Sequence, residues 1–180
     1  LKPKKIVVTG GPSTGKTTVI DQIKTLGFSC LHEISRDITL EARNEGVSQL
    51  FLSNPLLFSD RLLAGRIEQF KTAESLPKEH VFLDRGIPDI VAYLNGTDIV
   101  YGENYRNACT DHCYDLVFIF PPWKAIHSND NERYEDFEEA KRIHKLLDKT
   151  YRQFGYTPIT VPQGTVIERT NFILKSLNIN

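Results

Sequence analysis

Near the start of the chain stands the string Gly10-Gly11-Pro12-Ser13-Thr14-Gly15-Lys16-Thr17, followed by Thr18. It fits G-x-x-x-x-G-K-[ST], a pattern built to hold polyphosphate. Its glycines let the backbone aim N–H groups at a phosphate, and the helix that follows adds the positive potential of its N-terminus. In such a loop Lys16 reaches the β- and γ-phosphates and the Thr17 hydroxyl ligates Mg²⁺. The expected ligands are ATP and Mg²⁺. An N-K-x-D string, which reads guanine, is missing: the nearest sequence, Asn95-Gly96-Thr97-Asp98, lacks the lysine.

Phosphate binding does not name a reaction. Motor-type ATPases end a later strand in Asp-Glu, whose Glu activates water. Here the corresponding run is Val81-Phe82-Leu83-Asp84-Arg85. Asp84 can hold Mg²⁺ directly or through water, and Arg85 can meet a phosphate or an acceptor. A kinase further needs an acceptor pocket, a group for the attacking hydroxyl and a cation over the moving phosphoryl. Glu33, just past a second strand, is the candidate for orienting or deprotonating the hydroxyl, or for holding a ribose. Arg36 and Asp89 join Arg85 as candidates for acceptor contact, and Arg133 is the candidate cap.

These groups need a scaffold that gathers them. Apolar runs predict strands over 5–9, 28–31, 80–83, 115–120 and 156–161. Helical patterns separate them, at 34–44, 55–73, 87–94, 103–112, 138–154 and 166–177, with a first helix opening at the phosphate loop and stopping at Gly27. Short apolar strands alternating with helices predict a three-layer α/β/α fold on a five-stranded parallel sheet. Ligands then lie at the carboxyl ends of the strands, where the candidates fall. The polar segment 123–136 reads as a small lid, and 1–180 as a single domain.

Bulk composition supports this and excludes other classes. With 22 Lys and Arg against 23 Asp and Glu over 180 residues, the net charge is -1. No nucleic-acid partner is expected of so balanced a chain. Three cysteines form no disulfide framework and point to a reduced, cytoplasmic protein. No apolar run reaches the ~18–20 residues of a membrane span. Cys109, His112 and Cys113 share a helical face but lack a fourth ligand, so no metal site is expected there. Tyr93, Tyr101 and Tyr105 are expected mainly in packing, and the stripe Lys141, Arg142, Lys145 and Lys149 on a solvated face.

Together, Gly10–Thr18, His32-Glu33-x-x-Arg36, Leu83-Asp84-Arg85-Gly86-x-x-Asp89, Arg133 and the tail from Tyr151 through Pro162 to Glu168-Arg169 resemble a branch of P-loop proteins related to nucleoside and nucleotide kinases. The branch includes the ribosylnicotinamide kinase domain of the bacterial NAD-biosynthesis regulator, AAA-domain ATPases and an animal GTP- and phosphoinositide-binding protein. The resemblance implies sheet order 2-3-1-4-5, a helical lid after strand four, Asp84 as the Mg²⁺-linked acid and Arg133 as a lid arginine. It also implies that the turn after Pro162 holds the adenine, mostly through backbone. The expected activity is ATP- and Mg²⁺-dependent phosphoryl transfer to a small, hydroxyl-bearing, nucleoside-like acceptor. The rivals are a nucleotide-binding regulatory module that recruits a protein or lipid, and a slow ATPase.

Overall fold

The computed structural model describes residues 2–125 and 137–179. Strand β1 (Lys4–Gly10) lies at the centre of the sheet, and the phosphate loop joins it to α1 (Lys16–Thr25). Then come β2 (Ser29–Leu31), α2 (Ser35–Asn44), α3 (Leu50–Ser53) and α4 (Pro55–Ser75). They are followed by β3 (His80–Asp84), α5 (Ile87–Asn95), α6 (Glu103–Asp111) and β4 (Leu116–Phe120). The described chain finishes with α7 (Phe137–Gln153), β5 (Ile159–Thr160) and α8 (Val166–Ser176). All pairings are parallel and the order is β2-β3-β1-β4-β5, as expected.

Alternation along β1 divides the core. Val7 faces a cluster with Leu83, Ile87, Ile90, Phe70 and Tyr151, under α4, α5 and α7. Ile6 and Val8 face the opposite cluster, with Ile20, Ile23, Phe82, Phe118 and Ile173 under α1 and α8. This period of two, on strands covered on both sides, produces the continuous apolar runs of the sequence. Each such aliphatic residue contributes about 1.5–3 kcal/mol by leaving water.

Two elements differ from expectation. Strand β5 is two residues long rather than six, because Pro158 and Pro162 flank it and Tyr156 is committed elsewhere. The Tyr156 amide closes the end of α7 on Tyr151 O, and its hydroxyl accepts from Tyr114 N at 3.0 Å. Helix α3 is an unforeseen single turn. It delivers Asn54 to cap α4, where Oδ1 accepts from Leu57 N at 3.1 Å and Pro55 opens the helix. Of the expected lid, residues 126–136 lie outside the described part, and Arg133 with them.

Among the described residues no helix is long and apolar enough to cross a membrane. Nor do any of their His, Cys, Asp and Glu side chains group as a metal site. His112 instead sets Nδ1 2.9 Å from Ala108 O and its ring edge-on to Phe70, at 5.1 Å. Tyr105 is buried with its hydroxyl on Asp60, and Tyr101 packs edge-on against it at 5.6 Å. On α7, Lys141 and Arg142 pair with Glu138 and Glu139 one turn back.

Candidate nucleotide and acceptor site

The phosphate loop leaves β1 at a close approach to β4. Gly10 has φ +147° and lies against β4, so that a Cβ there would sit 2.6 Å from Phe120 O. Only glycine fits that contact. Ser13 (φ +54°) and Gly15 (φ +78°) complete the turn into α1. The Thr14 hydroxyl donates to Gly11 O at 2.9 Å, and Lys16 Nζ donates to the same carbonyl at 2.8 Å. Burial, with Arg85 nearby, pushes the Lys16 ammonium down to about 7 against the pull of Asp84, Asp89 and Glu33. Thr17 and Thr18 stand on the first turn of α1, with the Thr18 hydroxyl on Gly15 O at 2.9 Å. Pro162 is exposed in the turn between β5 and α8.

Asp84 ends β3 in register with Val8, which sets it beside the loop. It is buried, and its Oδ1 has no hydrogen-bond partner among the described residues. Burial pushes its pKa up, opposed by Lys16 and Arg85. A buried carboxylate oxygen without a donor, at a strand end beside the phosphate loop, is a hard-oxygen ligand of the kind that Mg²⁺ takes. The residues present fit that ion.

The residues expected on the acceptor side form a knot of charges at the ends of β2 and β3. Glu33 follows β2 and accepts from Ile34 N and Ser35 N at 3.0 and 3.1 Å. Arg85 Nε lies 2.6 Å from Glu33 Oε2, and Arg66 Nη2, from the middle of α4, 3.3 Å from Oε1. Burial pushes the Glu33 pKa up, but Arg66, Arg85 and the Ser35 N–H outweigh it and hold the carboxyl below its usual range. Arg85 has φ +73°, turns across the site to Asp89 at 3.1 Å and stacks over Tyr93 at 5.7 Å.

Asp89, expected at the acceptor, is 1% exposed. Its oxygens accept from the Thr9 hydroxyl (2.6 Å), Gly86 N (3.0 Å), Arg85 (3.1 Å) and the Tyr151 hydroxyl (2.5 Å). Its place is behind Arg85, which it aims. Arg36, on α2, lines a groove of about 420 Å³ with Ser35, Thr39, Arg43, Phe51 and Phe58.

The Asp89 knot has a measurable consequence. In Asp89→Asn, Arg66 and Arg85 share one carboxylate and Tyr151 keeps a weaker acceptor. Removing one partner of a buried ionic network costs about 3–5 kcal/mol. Chemical denaturation is expected to show that loss with an unchanged slope. Burial pushes the Asp89 pKa up, but Arg66, Arg85 and the Thr9 and Tyr151 hydroxyls pull it lower still. The group therefore adds stability above the ordinary ~3.9, and that stability is lost as pH falls through the depressed native value.

Sequence reasoning missed Arg66, and it gave Tyr151 and Arg169 no role of their own although both stand in the tail that carries the resemblance. Arg66 had a signal: it stands on the stripe Leu62, Leu63, Phe70 and Ala73, the face that α4 buries. An arginine on an apolar stripe is kept by partners elsewhere, here Glu33 and Gly86 O. Arg169 Nη1 donates to Thr14 O at 2.9 Å, a pairing across 155 positions that no local pattern announces.

The model of the AAA_28 family, described as an AAA domain, matches residues 5–169. No curated protein matches the sequence. Among solved structures, a deoxyadenosine kinase from M. mycoides with products dCMP and dCDP bound is similar at TM-score 0.71 and 19% identity, covering 97% of this chain and 98% of that one. NadR in complex with NR gives 0.73 and 18%, covering 99% of this chain, which spans 52% of that longer one. Thymidylate kinase from Candida albicans gives 0.68 and 17%, with 98% and 92% covered. The chain therefore belongs to the AAA_28 family, a P-loop NTPase with the fold of the nucleoside and nucleotide kinases.

Proposed function

We propose that the protein is an ATP- and Mg²⁺-dependent phosphotransferase acting on a small, hydroxyl-bearing, nucleoside-like acceptor. The observation that carries this reading is Glu33. Its carboxylate stands at the end of β2, fixed by Arg66, Arg85 and two backbone amides, and shares one electrostatic field with Lys16 of the phosphate loop. A residue that activates water for simple hydrolysis has no candidate at the end of β3, where Arg85 follows Asp84.

The steps follow from the side chains. Loop amides and Lys16 bind the nucleotide's phosphates and offset charge on the moving phosphoryl group. Asp84 and Thr17 would hold Mg²⁺, which supplies Lewis-acid neutralisation of the phosphate oxygens. Glu33 accepts a hydrogen bond from the acceptor hydroxyl and aims its oxygen at the γ-phosphorus. Because its pKa is held low, Glu33 orients the hydroxyl first and receives the proton only as the new P–O bond forms and the bond from the γ-phosphorus to the bridging oxygen breaks, releasing ADP. Arg85 and Arg66 keep that carboxylate in place, and Arg85 lies over Tyr93, where an acceptor ring can stack. Arg36, Asp89 through Arg85, and Arg133 complete the acceptor side and its cap. The turn after Pro162 takes the adenine.

The test is ADP release from Mg·ATP against a panel of nucleosides and small alcohols. Stimulation by one class of acceptor, with equimolar phosphorylated product, is the expected result. Slow ADP release that no acceptor alters would sink the proposal.

A further inference from the structure

The tail pair Glu168-Arg169 divides its work. Glu168 closes the capping box of α8, accepting from Thr165 N at 2.7 Å while its own amide donates to the Thr165 hydroxyl at 3.2 Å. Arg169 turns the other way, under the phosphate loop. It is 5% exposed, Nη1 donates to Thr14 O at 2.9 Å, and Nε is buried without a partner among the described residues. Two aromatic faces hold the guanidinium in plane, Phe120 at 5.5 Å and Trp123 at 5.7 Å. Among the described residues no carboxylate pairs with it. The contact with the loop is tight: a Cβ on Gly15 would sit 2.7 Å from Nη1 and 2.8 Å from Nη2.

Two consequences follow. In a trans peptide the C=O and N–H point in opposite directions. Fixing Thr14 O toward α8 thus turns the Gly15 N–H away from it, free to meet a ligand. And a buried cation without a carboxylate raises the positive potential behind the loop at a cost that only an arriving anion offsets. The geometry points to Arg169 as a positioning residue for nucleotide binding, one that fixes the Thr14–Gly15 peptide and whose counter-charge is the polyphosphate of a nucleoside di- or triphosphate. This rests on the nucleotide-binding half of the proposed function and not on phosphoryl transfer.

The experiment measures ADP and adenosine binding by calorimetry, without acceptor, in the wild-type chain, Arg169→Met and Arg169→Lys. Losing a charged hydrogen bond and its charge is expected to weaken ADP binding about 10- to 100-fold in Arg169→Met. Adenosine affinity stays within about twofold, the unfolding temperature of the free protein within about 3 °C, since the lost bond is offset by removal of an unpaired buried cation. Arg169→Lys restores charge without the flat, stacked fork and recovers only part of the ADP affinity. Equal ADP affinity in Arg169→Met and wild type overturns the inference. So does an equal loss for adenosine, which marks a merely structural role.

Should Arg169→Met not fold, Trp123→Leu against Trp123→Phe decides. The first loses one stacking face and is expected to bind ADP at least about threefold more weakly than the second. Equal affinities overturn the inference. ADP binding without any acceptor-stimulated turnover leaves it standing while the kinase reading falls. A wild-type chain that binds no ADP ends both.

Discussion

Glutamine in place of Glu33 is expected to lower acceptor-dependent turnover about 10²- to 10⁴-fold, the range for removal of a positioned general base. The substituted amide keeps an oxygen for Ile34 N and Ser35 N, so the start of α2 is retained. What Glu33→Gln loses is the negative charge facing Arg66 and Arg85 and the ability to take the hydroxyl's proton. ADP binding, measured without acceptor, is expected to change by no more than about threefold, because Glu33 acts on Lys16 only through the field. A comparable fall in kcat with little change in the acceptor's KM would place the lost interaction in the transition state. Turnover within about tenfold of wild type would remove Glu33 from the chemistry.

Lys16 carries the second large effect. In the free protein its ammonium is held near the low value of about 7 by burial, with Arg85 beside it. Nucleotide phosphates favour the charged form and draw the pKa back toward its ordinary ~10.4. The sign is then fixed. Below about pH 7 the free protein already holds the proton and affinity is flat. Above it, each pH unit is expected to weaken ADP binding roughly tenfold until the bound-state pKa is reached. At about pH 8 binding should take up close to one proton, seen as a buffer-dependent calorimetric enthalpy. Stability of the free protein moves oppositely: the unfolded chain holds a proton that the native one lacks, so this group alone makes stability rise from about pH 7 to about 10.4. Lys16→Met is expected to abolish the pH dependence and to reduce turnover by at least about 10²-fold.

The parts of the site written in one stretch of chain were legible without coordinates. Gly10 to Thr18 needs only a strand before it and a helix behind it. Asp84 and Glu33 follow from knowing that parallel strands deliver ligands at their carboxyl ends. What was not legible depends on partners far along the chain. Arg66 meets Glu33 across 33 positions, and Tyr151 meets Asp89 across 62. Asp89 itself shows the limit: spacing placed it near the site, and only its four donors show that its carboxylate is taken up by Thr9, Arg85, Gly86 and Tyr151. The same holds for β5, whose apolar run was long enough for a full strand until its flanking prolines and Tyr156 were seen to be spoken for.

Arg66, Arg85, Glu33 and Asp89 sum to zero, two cations against two anions, packed where little water reaches. Dissolved ions act on charges they can approach through water, within a screening length of ~8–10 Å near 0.1–0.15 M. This knot, with side chains between 1% and 21% exposed, offers them little access and no net field of its own, whereas a polyanion bound for Lys16 and Arg169, as proposed, passes through the electrolyte. Ionic strength therefore becomes a selective lever on this molecule. On the proposed function, raising salt is expected to loosen the grip on a charged donor while leaving the shape presented to a neutral acceptor nearly constant, so that the two halves of the site can be separated without altering a residue.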